Sequence, residues 1–399
     1  MPRAMAAPWV ARLLEELQAA ADCELCVAAP FRVTTDRAFI EDGVQYVFLP
    51  QARKLHYWTY RWEGLAAAAE LIDDYRPDLV HVHGSEHCLG LAHVQSRHRC
   101  RAILSLQGIL TAIAPKALGD LDRWTVFRRE RWIDLARMSG VLGTKRTWRQ
   151  GAIVEQRVLA AQEHIIGHNA WDRAQVAALN PKARYHHVGE PLRREFYNYR
   201  WTVDSARAET IFFGNLAGAH KGGHTILRAL TILAKDFPGV TLRVAGRLDS
   251  WRGYGKLFLD EATRLGLRDR MDFLGFLDAE SMAKELSAAS VFVSASHADN
   301  NPNSVAEAQI VGTPVVASYV GGVPEMLDDG RAGLLFPVGD AAMLAAQISR
   351  VFTDRGLAQR LSDQGRQRAR QRHDPAIIVD ELLAAYSAAG CTLPSRRES

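Results

Sequence analysis

The strongest constraint on the fold is a change of period that repeats along almost the whole chain. Short apolar runs rich in β-branched residues alternate with stretches whose apolar residues recur every three or four positions. In the first half, residues 8–21 read as a helix with Trp9, Leu13, Leu14 and Leu17 on one face. Strands are expected at 25–29, 45–49, 79–82 and 102–106, with a helix over 62–75. The second half repeats the alternation more plainly, with strands at 210–213, 241–245, 271–274, 291–294 and 314–317. Between the first two of these, residues 223–235 carry Ile226, Leu227, Leu230 and Leu233 as the buried stripe of a helix. Strands alternating with helices predict an α/β fold with parallel sheets covered on both faces. Two such runs predict two doubly wound, Rossmann-like domains, with the weakly periodic stretch 190–209 as the seam.

Composition excludes whole classes of function. The 399 residues are 48% hydrophobic and 24% charged, the profile of a globular chain rather than a fibrous or disordered one. No apolar run approaches the roughly 20 residues that a membrane-spanning helix needs, and Arg12, Glu15 and Glu16 break up the start as a signal peptide. The net charge of +4 is too small to argue for nucleic acid by itself. Five cysteines (Cys23, Cys26, Cys88, Cys100 and Cys391) are an odd number, which fits a reducing compartment. Cys23 and Cys26 have the spacing of a redox or zinc half-site, but they fall in an expected strand and no second pair stands at finger-like spacing. They read as core cysteines.

The chemistry concentrates at Ser294-Ala-Ser-His-Ala-Asp-Asn-Asn-Pro-Asn-Ser-Val-Ala-Glu-Ala308. A strand ends at Ser294, a polar loop follows, and a helix begins near Ser304. Open α/β sheets bind ligands at the carboxyl ends of their strands, and a helix start there offers N–H groups to a phosphate. Asp299 and Glu307 flank that seat. Two plainer readings stand beside this one. Ser304-Val-Ala-Glu307 has the form of a capping box, and 299–303 is written in turn residues.

The flanking motifs extend the pattern: Phe213-Gly-Asn-Leu-Ala-Gly-Ala-His-Lys-Gly-Gly223, Val244-Ala-Gly-Arg247, Phe273-Leu-Gly-Phe276, Gly312-Thr-Pro-Val-Val-Ala-Ser318, Val320-Gly-Gly-Val-Pro-Glu325 and Gly333-Leu-Leu-Phe336. Together they resemble the C-terminal half of the retaining glycosyltransferases of family 4, which have the GT-B fold of two Rossmann-like domains facing a central cleft. Pro77-Asp-Leu-Val-His-Val-His-Gly84, Leu106-Gln-Gly108, His168-Asn-Ala-Trp171-Asp172-Arg173 and Glu190-Pro-Leu-Arg193-Arg-Glu-Phe196-Tyr197 resemble pieces of a bacterial subgroup. The resemblance implies an acceptor-binding domain over 1–195 and a donor-binding domain over 196–373. It also implies a segment, 374–399, whose helix packs back on the first domain before a short tail.

The resemblance also implies roles. Asp299 would bind hydroxyls of a donor sugar and Glu307 the two ribose hydroxyls of its nucleotide, since a carboxylate accepts two hydrogen bonds from a diol. Lys221 would hold the diphosphate and stabilise the leaving group. Asn215, Gly222, Asn300, Asn301, Asn303 and Ser304 would complete the donor site, with Gly275 and Phe276 meeting the base. His83, Gly84, Glu86 and Gly108 would stand on the acceptor side. The implied reaction moves a sugar from a nucleotide-diphosphate sugar, with UDP or GDP as the nucleotide, to a hydroxyl acceptor in glycan or polysaccharide synthesis. It needs no metal or cofactor, and its expected place is the cytoplasm or the inner face of a membrane.

Three departures matter. Asn215 stands where the family commonly has arginine, which removes a cation from the diphosphate clamp; Arg247 either replaces it or is a solvated strand end. Gln107 stands where a histidine often faces the donor, and it cannot take up a proton at pH 7. In retaining transfer on one face the leaving phosphate accepts the acceptor's proton, so Gln107 is compatible with that route. The third departure is the start: Met5-Ala-Ala-Pro8 falls at the end of the family's first loop, so a first strand is expected to be lost or to lie upstream.

Between Leu121 and Gln150 eight basic residues face three acids, interleaved with Trp124, Phe127, Trp132 and Trp148. Residues 54–62 are a second basic and aromatic stretch. Such surfaces suit a lipid-linked acceptor or peripheral membrane contact, or else are arginine-covered helix faces. No nucleic-acid reading motif is present. His81, His83 and His87 read as substrate contacts or packing in preference to a metal site. Two alternative functions stay open from the residues, a nucleotide-sugar epimerase and a catalytically impaired sugar-nucleotide-binding protein.

Overall fold

A computed structural model describes residues 8–31, 38–50, 63–136, 140–246, 248 and 253–394. Its contacts divide the chain into two units, one of Met1–Thr111, Gln150–Pro191 and His373–Ser399, the other of Ala112–Arg149 and Leu192–Arg372. The seam falls after Pro191, inside the stretch of weak periodicity. Residues 112–149, expected within a first domain ending at 195, make their contacts in the second unit instead. Arg247 and residues 54–62 lie outside the described residues.

The second unit is built on six parallel strands: β8 (Arg207–Phe213), β9 (Thr241–Ala245), β10 (Met271–Gly275), β11 (Ala289–Ser294), β12 (Val315–Ser318) and β13 (Leu334–Phe336). Their order is β10-β9-β8-β11-β12-β13. Every paired neighbour runs parallel, which requires a crossover between strands and explains the strand–helix alternation of the sequence. Inner strands are buried on both faces, as the unbroken run Ile211, Phe212 and Phe213 shows. The helix Gly223–Leu233 lays Ile226, Leu227, Leu230 and Leu233 into the same core. At about 25 cal/mol per Å² of apolar area, burying each such side chain contributes roughly 1.5–3 kcal/mol. The chain leaves β8 to one side for β9 and returns to its other side for β11. The carboxyl ends of β8 and β11 therefore form a topological switch point, where such sheets leave a crevice.

The first unit holds two sheets. Four parallel strands run in the order β4-β5-β6-β7 (Leu79–His83, Arg101–Ser105, His164–Gly167, Arg184–His187). A three-stranded sheet, β1-β3-β2 (Leu25–Pro30, Val44–Leu49, Ala38–Glu41), has β1 and β3 parallel and β2 antiparallel to β3. The antiparallel strand was not expected; Asp42-Gly43 supplies the positive φ angles for its tight return. Helices Pro8–Ala20 and Pro375–Ala388 share one core, in which Leu17 and Ala21 meet Ile378, Leu382 and Tyr386 along with Ile103 and Ile166. No helix among the described residues is long and apolar enough to cross a membrane.

Candidate active site

At the switch point of the second unit two loops meet back to back. After β8 the chain makes a single 3-10 turn, Ala219–Lys221, and enters the helix Gly223–Leu233 through Gly222. After β11 it runs through 295–302 into the helix Asn303–Val311. His297 N donates to His220 O at 2.7 Å, which ties the loops together. Gly222 has φ 74°, and a Cβ there would lie 1.8 Å from Ala295 O, so only glycine permits this approach. On the far side of the second loop, a Cβ on Gly321 (φ +50°) would lie 1.7 Å from Asp299 O, and Gly322 N donates to Asn300 O at 2.7 Å. The glycines of Val320-Gly-Gly-Val thus clamp the loop that carries Asp299.

This packing joins two of the expected residues directly. Lys221 Nζ lies 2.6 Å from Asp299 Oδ2, with the side chains only 20% and 12% exposed. Ser296 Oγ donates to the same oxygen at 3.1 Å. A charge-assisted bond at this exposure fixes both groups beside the helix start. No side chain caps the helix Asn303–Val311, whose N-cap is Pro302. Asn303 Oδ1 is buried with no hydrogen-bond partner, which leaves an acceptor at the same place. Ser304 lies within the helix, so the capping box is not formed.

Glu307 turns elsewhere. It is buried in the helix, and its Oε1 accepts from Arg193 Nη2 at 2.7 Å. Burial raises the carboxyl pKa while Arg193 opposes the rise. Arg193 also lies over the ring of Phe196, 4.8 Å from its centroid. Arg193 is a site residue the sequence reading missed: it stands in Glu190-Pro-Leu-Arg193, but 114 positions from its partner, beyond any local period.

The other donor-side residues are placed less tightly. Asn215 follows β8, is exposed, and accepts from Ala217 N at 2.9 Å, so it shapes its own turn. Asn300 is buried and Asn301 half-buried in the Asp299 loop. Gly275 ends β10 in the left-handed region (φ +68°), and Phe276 after it is 79% exposed. Gly119 and Trp148 reach the same loop: a Cβ on Gly119 would approach Ala219 O to 2.5 Å, and Trp148 meets His220 edge-on at 4.8 Å. Burial, with the Lys221 charge adding to it, lowers the His220 pKa to about 4, so its ring is neutral at pH 7.

The acceptor-side residues gather in the first unit at the carboxyl ends of β4 to β7. A pocket there is lined by His83, Gln107, His168, Glu190, Leu13 and Leu382 among others. His81 is held by Tyr386 Oη at 2.8 Å and Ser105 Oγ at 2.7 Å, and His83 stacks on it at 4.1 Å. Desolvation lowers the His83 pKa to about 4. Gly84 turns at φ +95°, bringing Glu86 back beneath the turn; burial pushes the Glu86 carboxyl up to about 7. Gly108 O accepts from Ser85 Oγ, which also donates to the buried Glu155. Among the described residues no group of three or more His, Cys, Asp or Glu is placed to hold a metal ion, and the cysteines are unbridged.

Against this geometry the comparisons decide the class of the second unit. Residues 196–368 match the family described as glycosyl transferases group 1. That segment is a group 1 glycosyltransferase domain. The chain is 30% identical over 197 residues to the glycogen synthase of Mycobacterium tuberculosis, covering 48% of this chain and 46% of that protein. It is 32% identical over 231 residues to the D-inositol 3-phosphate glycosyltransferase of Mycolicibacterium smegmatis, 57% of this chain and 51% of the relative. The chain spans about half the length of the curated relatives it matches. Among solved structures it is similar to the sucrose-phosphate synthase of Thermosynechococcus elongatus (TM-score 0.71, 19% identity, 96% of this chain and 92% of that one). It is also similar to Anabaena HepE in complex with UDP-glucose (TM-score 0.63, 18% identity, 86% of each chain). At such identities the likeness speaks to fold, and the fold is that of the GT-B glycosyltransferases, with the group 1 domain as its second unit.

Proposed function

We propose that the protein is a retaining glycosyltransferase that moves a sugar from a nucleotide-diphosphate sugar to a hydroxyl acceptor. The observation that carries this reading is the Lys221–Asp299 pair at 2.6 Å beside an uncapped helix start, in a group 1 domain and at the switch point of its sheet. In this reading the diphosphate lies over that helix start, with Lys221 turning from Asp299 toward it. Lys221 then stabilises the charge that develops as the sugar–phosphate bond breaks. Asp299, released from its ion pair, accepts from hydroxyls of the sugar. Glu307 accepts from the ribose hydroxyls once Arg193 yields part of its hold. The leaving phosphate takes the acceptor's proton on the same face, so the chain supplies no proton-transfer residue. UDP is the favoured nucleotide, supported by a structural neighbour that holds UDP-glucose.

The acceptor falls to the first unit, whose pocket offers the hydrogen-bonding groups of His83 and Gln107. On the second unit, Trp124, Phe127 and Trp132 are 57%, 48% and 78% exposed among arginines, and Arg128 stacks over Trp124 at 4.9 Å. This supports a lipid-linked acceptor met in the cytoplasm at the inner face of a membrane, since aromatic and arginine side chains together suit an anionic interface. A thermal-shift panel of UDP-, GDP-, ADP- and TDP-sugars tests the donor: a ligand at about 100 times its dissociation constant contributes roughly 2.7 kcal/mol of stability. NMR of the product linkage tests retention. No shift with any sugar nucleotide, or an inverted linkage, refutes the reading.

A further inference from the structure

The buried histidine of His168-Asn-Ala-Trp171-Asp172 has an arrangement that its role in local folding does not use up. Asn169 caps the helix Ala170–Leu179 by accepting from Asp172 N, and Asp172 Oδ2 returns to accept from His168 N at 2.9 Å. These bonds explain Asn169 and Asp172 but leave the His168 ring unaccounted for. Its Nδ1 lies 2.7 Å from Val188 O and its Nε2 3.0 Å from Leu106 O, with Glu190 Oε1 3.5 Å from the same Nε2. The residue is 6% exposed. A carbonyl oxygen only accepts, so each ring nitrogen must donate; a neutral imidazole donates from one nitrogen alone. His168 is therefore an imidazolium, walled in by two carbonyls and a carboxylate.

That charge sets what stands beside it. The charged and titratable groups facing the ring are Glu190 after β7, Asp172 from the helix Ala170–Leu179 and His83 from β4. The acids raise the His168 pKa against its burial, and His83 stays neutral. Glu190 Oε1 stands 3.5 Å from that ring's Nε2. Gln107 Nε2 donates to Glu190 Oε1 across 3.4 Å, so the anion fixes which way round the Gln107 amide stands. With its amide nitrogen turned to Glu190, Gln107 keeps its carbonyl oxygen for another partner; it lines the pocket together with His83, whose Nδ1 is buried without a hydrogen-bond partner.

We propose that this pocket binds a hydroxyl of an uncharged sugar or polyol through Gln107 Oε1 and His83 Nδ1, and that the His168–Glu190 pair is the positioning device that orients Gln107. The nearby carboxylate selects against anionic groups at that spot. Its identification with the acceptor rests on the transferase reading; the binding itself does not.

The test uses the full chain enriched in ¹⁵N-histidine, with two-bond ¹H–¹⁵N spectra assigned by His168→Gln and His83→Gln. At about pH 7 His168 shows two protonated nitrogens, where an unperturbed histidine is mostly neutral. Adding D-glucose or myo-inositol moves the His83 signals saturably, and Glu190→Gln weakens that binding by about tenfold or more through loss of the Gln107 orientation. A singly protonated His168 at that pH, the absence of a saturable shift with both polyols, or undiminished binding in Glu190→Gln overturns the proposal. Wild-type spectra alone decide the first two points should a variant fail to fold. Polyol binding without any sugar-nucleotide binding upholds the pocket and refutes the transferase reading, whereas turnover without polyol-induced shifts does the reverse.

Discussion

Replacing Arg193 by alanine should expose how much the group 1 domain relies on a single ion pair. At 2.7 Å and an effective dielectric of about 20, the attraction between Arg193 and Glu307 is roughly 6 kcal/mol before desolvation. Two facts reduce it. The Arg193 side chain is 32% exposed and so partly screened, and both groups regain water on unfolding. A charge-assisted hydrogen bond of this kind retains about 1.5–3 kcal/mol, to which stacking on Phe196 adds about 0.5–1 kcal/mol. The expected loss is about 2–4 kcal/mol, or a fall in melting temperature of roughly 4–16 °C for a unit of this size. The effect carries a pH signature. Burial raises the Glu307 pKa, so acid neutralises this carboxyl sooner than an exposed one, and the pair contributes only while Glu307 is ionised. Scanning calorimetry of wild type, Arg193→Ala, Glu307→Gln and the double variant measures the coupling. It should exceed about 1 kcal/mol near pH 8 and shrink toward pH 5. Coupling below about 0.5 kcal/mol, or one independent of pH, refutes the argument.

Further outcomes follow from the site. Lys221→Ala and Glu307→Ala should each lower turnover by about 10²-fold or more, read as initial rates with a saturating sugar nucleotide; wild-type rates in both sink the donor-site assignment. Glu86 keeps its proton up to about pH 7 in the folded state. Its burial therefore costs stability as pH rises from the ordinary carboxylate range toward 7, and Glu86→Gln should be more stable than wild type by roughly 1–3 kcal/mol at pH 8 and equal to it near pH 4. Urea titrations at the two pH values check this. Gly321→Ala forces a Cβ to within 1.7 Å of Asp299 O in a left-handed conformation; it should cost at least about 1–3 kcal/mol and weaken sugar-nucleotide thermal shifts. Unchanged shifts would mean the Asp299 loop does not need its glycine clamp.

What the sequence made legible followed local period. The strand expected at 241–245 and the helix stripe Ile226, Leu227, Leu230 and Leu233 were readable because each face repeats within a few residues. Lys221 and Asp299 were readable as separate motif residues, and the structure supplies their pairing. Three features had no local signature. Arg193 reaches Glu307 across 114 positions, the His168 ring takes its protonation from carbonyls of two other strands' ends, and residues 112–149 make contacts far along the chain. The capping-box reading of Ser304 and Glu307 shows the opposite risk. A local pattern was present, yet Pro302 took the N-cap position and a distant arginine took the carboxylate.

The core shared by helices Pro8–Ala20 and Pro375–Ala388 bears on the order in which a growing chain can fold. Leu17, Ala21, Ile103 and Ile166 find Ile378, Leu382 and Tyr386 only after every segment of the second unit has been made. The second unit, residues 112–149 and 192–372, has all its segments earlier. At roughly 5–20 residues per second of synthesis, every segment of the group 1 domain is made before the helix Pro375–Ala388. The first unit, begun first, is finished last. A chain ending at Arg372 and released from the ribosome should therefore display a protease-resistant second unit tethered to an open first one.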